Sequence, residues 1–530
     1  LAGDALVTEE MKSLSEQLRS GDETPINELF APTSAEWGDA RSESEEPYHH
    51  LRQQIRAFTQ AHMQASPTSQ EIEDIFPTLR SLREALSTVG AQEADPSQHF
   101  IVWSDVVEAC ERITGWNQFS CETETGKFVL SVLLEAAEDP LPIPNADGDD
   151  KFDESPSWGK PAPRIDAAAG LTRLTRHETC INRIVLEAVL RLSLDPVPAV
   201  RYQALGNIGS LYHTMSETMW DILEHAALNE SSRGVLQSTL HTLERLAGSY
   251  PDRATALVKA IYERTNTGAG AKEVRKACVS IFAGLYLYQD HPFSHEMILS
   301  ITDKPGELHD ENWQVMAAAR DVLTLGSVTP SDDQQDAVRK RGWNVMLRAT
   351  KSIHDALQNL QSQQDQTDQS KDRQEQVRNL YHLAESVAAD LYFASGASDQ
   401  THNSEEVTEK HRRFFTEVGP LFDELSHFRH PGLVHYLVKT LAFLIPVDPT
   451  RVFKRIGQIV LNARGGGYQF EPSAIDLIVR IMERYLAEFR DVLREDEQCL
   501  QLLIEMLDGF VEVGWPSARR LAYRLEEIFY

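Results

Sequence analysis

Apolar side chains recur at three- and four-residue intervals along most of this chain, the spacing that puts them on one face of an α-helix. Val200, Ala204 and Ile208 make such a stripe inside the run Asp195-Pro-Val-Pro-Ala-Val-Arg-Tyr-Gln-Ala-Leu-Gly-Asn-Ile-Gly. Asp195 is of the type that caps orphan helix amides, and Pro196 suits a first helical turn, where a missing N–H costs nothing. The run therefore predicts a helix that opens at Asp195.

Similar helices follow at 233–246, 274–287 and 313–325. Aligning them with 200–211 puts Arg201, Arg233, Arg275 and Gln314 in register, with steps of 32, 42 and 39 residues. Each is preceded by an amphipathic segment, at 180–194, 217–228, 253–264 and 295–301. Paired helices with a period of about 40 residues resemble HEAT repeats, whose units stack so that each buries its neighbour's apolar face. The expected fold is all-α, a HEAT/armadillo-like α-solenoid of stacked antiparallel helix pairs.

Breaks in the periodicity set the expected boundaries. Residues 1–46 are a polar, acidic lead segment, and 47–138 form an N-terminal helical domain with helices near 50–63, 69–89, 103–113 and 127–138. The Pro-, Gly- and Asp-rich stretch 139–164 reads as a linker without regular structure. The repeats occupy 165–330. Two long helices at 336–361 and 375–393 make a hairpin within 331–400, with a mobile Gln- and Asp-rich tip. A C-terminal block, 401–530, carries six helices at 407–428, 431–444, 449–463, 473–492, 496–511 and 517–528, and Asp448-Pro449 repeats the cap signature seen at Asp195.

Charge narrows the partners. The net charge is −30, of which −20 falls in residues 1–170 and only −3 in 171–330. Such a surface repels phosphate backbones, so broad nucleic-acid binding is disfavoured and a protein partner fits better. Five cysteines without a C-x-x-C pair suit a reducing cytoplasm. No apolar run reaches the roughly 18–20 residues needed to span a bilayer. The chain starts at Leu1 rather than Met, as a fragment or processed chain would.

Candidate chemistry is sparse. Arg464-Gly-Gly-Gly-Tyr468 has the glycines of a phosphate-cradling loop but lacks Gly-Lys-Ser/Thr and follows a helix rather than a strand. It reads as a helix–helix turn, or as a contact loop in which Arg464 and Tyr468 meet a partner. Asn145, Asp147 and Asp149 mimic the start of a calcium loop, yet Asp150 stands where Gly is needed and the distal Glu is missing. His427, His430 and His435, and the i,i+4 pair His291 and His295, raise a metal question. Pro292 interrupts the helix that would present the latter pair, and no zincin Glu follows His291. Cys180 reads as a small buried hydrophobe heading an apolar stripe with Ile184 and Leu186. Arg519, Arg520 and Arg524 form a basic patch on the last helix, which Ser517 is placed to cap. No catalytic, cofactor or metal residue is assigned. Arg464, Tyr468, Arg519, Arg520 and Arg524 stand as candidate partner contacts.

The stretches Ala463-Arg-Gly-Gly-Gly-Tyr-Gln-Phe-Glu, Val479-Arg-Ile-Met-Glu-Arg-Tyr and Val513-Gly-Trp-Pro-Ser-Ala-Arg-Arg-Leu-Ala-Tyr-Arg-Leu resemble the C-terminal helical regions of large bacterial ATP-binding proteins, some of which act in phage defence. That resemblance implies a nucleotidase elsewhere and a helical array that senses or binds a partner. No ATP-site residue carries over, because the chain has no Gly-x-x-x-x-Gly-Lys-Ser/Thr motif. The expected function is a non-catalytic scaffold or sensor; a HEAT-like nucleic-acid enzyme and a constitutive structural subunit are the alternatives.

Overall fold

A computed structural model describes residues 49–87, 96–265, 270–323, 333–362, 371–398 and 409–529. The lead segment 1–46 and most of the Gln-rich hairpin tip lie outside the described residues. The chain divides into two compact units, Leu1–Gln118 and Phe119–Tyr530, and the described residues contain helices and no strand.

In the first unit, α1 (His49–Ala61), α2 (Ser69–Leu86) and α3 (Pro96–Ile113) pack on one another. The entry to α2 is a capping box: Thr68 and Glu71 each satisfy the other's backbone amide, which removes two of the orphan donors of a helix start. Ile55, Leu79, Leu82, Val106 and Ile113 close the core, and Arg52 Nε donates to Asp105 at 2.9 Å along its edge.

The second unit begins with α4 (Glu124–Ala136), α5 (Ala146–Glu154) and α6 (Pro163–Leu174). Two expectations change here. The helix at 127–138 packs on α6 and belongs with the repeats rather than with an N-terminal domain. The stretch 139–164 also contains α5, so it is not an unstructured linker: Phe152 is buried, edge-on to Tyr202 at 5.7 Å. Asp153 Oδ1 accepts from the Ser232 hydroxyl and the Gly234 amide. Its polar sequence hides the helix because one aromatic ring and one carboxylate do the docking.

The repeats follow as two layers. One holds α8 (Pro198–Asn207), α10 (Arg233–Ala247), α12 (Ala271–Gln289) and α14 (His309–Val322). Starting from α6, each packs on the next. The other layer holds α7 (Arg183–Ser193), α9 (Ser216–Asn229), α11 (Pro251–Arg264) and α13 (Pro292–Thr302), each packed against the following helix of the first layer. This is the α-solenoid of helix pairs expected from the period. The stripe Val200, Ala204 and Ile208 is fully buried. Gly206 lets α8 approach Ser238 closely, and Ser238 and Thr242, one helical turn apart, donate to the Tyr202 and Leu205 carbonyls at 2.8 and 3.0 Å. These bonds from α10 reach a mid-helix carbonyl and one in the last turn of α8, which gives way to a 3₁₀ turn at Ile208–Tyr212.

The solenoid continues without a gap in packing. α15 (Asp333–Ser362) lies on α14, and α16 (Lys371–Ala394) lies on α14 and α15. The C-terminal block adds α17 (Glu409–Glu417), α18 (Gly419–Leu425), α19 (Pro431–Leu444), α20 (Pro449–Ala463), α21 (Pro472–Glu488), α22 (Arg490–Glu495), α23 (Glu497–Glu512) and α24 (Pro516–Phe529). Two of the six expected helices are split. Gly419-Pro420 opens α18 within 407–428, and Phe489, at φ −128° and ψ 34°, divides α21 from α22. Asp448 caps α20 as expected, accepting from the Arg451 amide at 3.0 Å with Pro449 in the first turn. Ser517 falls inside the first turn of α24 rather than before it.

Candidate functional site

A repeated charge device fixes the starts of the first-layer helices. Asp195 lies two residues before Val197, the N-cap of α8, and its Oδ1 accepts the Val197 amide at 2.9 Å. Glu230 stands two residues before Ser232, the N-cap of α10, and accepts the Ser232 amide at 2.8 Å. Each carboxylate is also held by an arginine of the preceding first-layer helix: Arg164 reaches Asp195 at 3.2 Å, and Arg201 reaches Glu230 at 2.7 Å. Asp195 therefore organises the turn, whereas Val197 is the cap and Pro198, not Pro196, fills the first helical position. Two prolines one residue apart made the first the natural choice on sequence alone.

Above this charged floor a groove of about 550 Å³ opens between α7 and α9. Leu190 and Leu194 border it on the α7 side and are 49% and 53% exposed. Asp221 and His225 border it from α9, with Ile222 and Ala226 beneath them. The ionised lining is three carboxylates, Asp195, Asp221 and Glu230, against one guanidinium, Arg201. The groove therefore offers apolar anchorage next to negative charge. Sequence reasoning placed both helices but missed the site, because Leu190 and Leu194 read as ordinary members of an amphipathic segment.

At the other end of α8 a second hollow of about 420 Å³ is lined by Arg176, His213 and Arg245 with Asn207 and Ser249. Burial and the neighbouring Arg173 lower the Arg176 pKa, so positive charge is crowded there.

The residues singled out from the sequence are dispersed. Tyr468 is 1% exposed and offers no face to a second molecule. It begins the second of two 3₁₀ turns, Arg464–Gly466 and Tyr468–Phe470, joined through Gly467 at φ +84°. Arg464 is half-buried and donates to the Glu505 carbonyl on α23, and a Cβ at Gly466 would collide with the Arg429 carbonyl. The glycines thus serve close packing rather than anion binding. Arg519 and Arg520 are exposed on α24, while the side chain of Arg524 lies outside those described.

The cysteine expectation is corrected in part: Cys180 is buried as expected, but it is not a free thiol. Cys121 and Cys180 form a disulfide with Cα atoms 5.1 Å apart. Cys180 ends a 3₁₀ turn, Glu178–Cys180, ahead of α7, and Ile184 is 64% exposed, so the supposed apolar stripe does not exist. The partners are 59 residues apart in sequence, and their proximity follows from α4 packing on α6. Disulfides belong to oxidising compartments, so cysteine usage no longer argues for a cytoplasmic location. Cys110, Cys278 and Cys499 are free and buried. Among the described residues no helix is long and apolar enough to cross a membrane.

The histidines separate into different roles. Pro292 does not interrupt a helix but begins α13, with His291 as its cap. His291 Nδ1 accepts from the Ser294 amide at 3.3 Å and its Nε2 faces Asp252 at 3.0 Å. His295 stacks on Tyr286, and His430 on Tyr381. Burial and Lys439 lower the His435 pKa. In the calcium-like run, Asp149 lies within α5, which excludes the extended loop such a site needs.

Comparison with family profiles and with curated proteins returns no match. Several solved structures align. An engineered protein is 12% identical, with 87% of this chain and 96% of that one covered, at a TM-score of 0.25. A mutant of Kap121p is 12% identical over 88% of this chain and 46% of its own, at 0.30, so the chain spans about half of that protein. A circular tandem repeat protein is 13% identical over 91% and 98%, at 0.20. The class assignment, a helical-repeat α-solenoid, rests on the layer packing described above.

Proposed function

We propose that this chain is a non-catalytic helical-repeat scaffold that binds a protein partner, and that the α7–α9 groove receives an amphipathic segment presenting apolar side chains beside Lys or Arg. The observation that carries this reading is the pairing of Leu190 and Leu194, both about half exposed, with the exposed carboxylate of Asp221 across one groove. Scattered exposed leucines need no explanation, whereas two that border a concave, charged site mark an anchoring surface. Asp195 and Glu230 are taken up by Arg164 and Arg201, which leaves Asp221 as the lining carboxylate outside those pairs; it opposes a phosphate backbone and favours a basic segment.

Where the chain forms part of a bacterial ATP-binding defence protein, as the resemblance of its C-terminal block implies, filling this groove is the sensing event and nucleotide hydrolysis belongs to another domain. The test is affinity capture with the full chain and with a Leu190→Glu/Leu194→Glu variant, followed by quantitative mass spectrometry. A partner recovered by the parent and lost with the variant supports the reading. Partners recovered equally by both place the binding surface elsewhere.

A further inference from the structure

Helix α15 brings His354 against the end of α18, beside Glu424 and His427. His354 Nδ1 lies 2.9 Å from Glu424 Oε1, and the two imidazoles stack with centroids 5.0 Å apart and planes 14° from parallel. One ligating atom from each of the three side chains lies within 4.8 Å of the other two. Glu424-Leu-Ser-His427 is a Glu-x-x-His run that straddles the end of α18, with Glu424 in its last turn and His427 in the turn just beyond it. Sequence reading flagged His427 but grouped it with His430 and His435; its partner is 73 positions earlier, on another helix.

We propose that His354, Glu424 and His427 bind one divalent transition-metal ion of the Zn²⁺ type, with the remaining coordination position open to solvent. The outer contacts match what metal-binding imidazoles require. His427 Nδ1 is 3.1 Å from the Glu424 carbonyl; donating there, it fixes the tautomer that leaves Nε2 free for the ion. Gln358 is 2.9 Å from His354 Nε2. With the ion on Nδ1, Nε2 carries the proton and donates to the Gln358 amide oxygen, once that amide turns over. The His354 and Glu424 side chains are 21% and 16% exposed, and His427 is exposed, so the site has two anchored ligands and an accessible face. Two nitrogens and one carboxylate select Zn²⁺, Co²⁺ or Ni²⁺ over Ca²⁺ and Mg²⁺, which demand more oxygen ligands. A bound ion would tie α15 to the C-terminal block.

The test uses the untagged full chain, stripped with a chelator and titrated with Co²⁺ by visible absorption and with Zn²⁺ by calorimetry. The expected result is one equivalent of either ion competing for one site, no response to Ca²⁺, and an affinity loss of about 100-fold in His427→Ala. Gln358→Ala is expected to lose about 10-fold or more. His427 is exposed, so that variant keeps its fold, checked by circular dichroism; His354→Ala provides a second ligand deletion. Absence of uptake, or one-equivalent binding that His427→Ala and Glu424→Gln leave unchanged, would overturn the proposal.

Discussion

Arg201 and Glu230 form a two-pronged ion pair, Nε to Oε2 at 2.7 Å and Nη2 to Oε1 at 2.8 Å, that joins the first turn of α8 to the turn entering α10. Both side chains are largely withdrawn from water, at 14% and 6% exposure. Arg201 Nη1 also donates to the Asp195 carbonyl at 2.6 Å. One guanidinium thus links two successive helix entries.

Removing one member leaves the other buried without its partner. Glu230→Ala is expected to destabilise the chain by about 3 kcal/mol, more than an exposed pair such as Arg183–Glu187 contributes, which is under about 1 kcal/mol. Denaturant melts of Glu230→Ala, of the single variants Arg201→Met and Glu230→Met, and of the Arg201→Met/Glu230→Met double variant check this. The account requires strong coupling in the cycle, with the double variant more stable than Glu230→Ala.

The disulfide closes a loop of 59 residues, which in a chain-entropy account is worth about 4 kcal/mol to the folded state. Cys121→Ser is therefore expected to lower the melting temperature, and reductant is expected to lower that of the parent but not of the variant. Peptide mapping under non-reducing conditions should recover the Cys121–Cys180 cross-link.

Asp390 on α16 has its pKa pushed up to about 6 by burial, with Asp321 adding to the shift and Arg320 opposing it. The folded state then holds a proton that the unfolded chain has released between about pH 4 and 6, so this group's contribution to stability falls as pH rises through that window. Asp390→Asn is expected to flatten that slope and to raise stability at neutral pH by about 1–2 kcal/mol, allowing for partial solvent exposure. Melting temperatures from pH 4 to 8 for both proteins provide the check.

Tyr468 is buried, and its hydroxyl finds no hydrogen-bond partner among the described residues. Tyr468→Phe removes an unsatisfied polar group and is expected to be neutral or stabilising by up to about 1 kcal/mol. Gly467→Ala imposes a Cβ on a positive φ and is expected to cost about 1 kcal/mol. If Tyr468 were a partner contact, Tyr468→Phe would instead weaken binding while leaving the melting temperature unchanged.

The helix-pair fold was legible because repeat packing depends on spacing: Val200, Ala204 and Ile208 could be read as one buried stripe without knowing their neighbours. What escaped depends on contacts between distant positions. Cys121 meets Cys180 only because α4 packs on α6, and His354 meets Glu424 only because α15 packs on α18. The helix α5 escaped for the opposite reason, since its local sequence is polar and Phe152 is its buried apolar anchor. The candidate groove was invisible because exposure, unlike period, is a property of the gap between α7 and α9.

The most direct measurement is equilibrium binding of peptides selected from a random display library on the full chain, compared between the parent, Leu190→Glu/Leu194→Glu and Asp221→Lys. The account predicts enrichment of amphipathic peptides carrying Lys or Arg next to apolar residues. It also predicts affinities at least about 10-fold weaker for both folded variants, a loss of about 1.4 kcal/mol or more, with salt weakening the parent complex. Peptides without basic residues, or equal affinity for all three proteins, would contradict it.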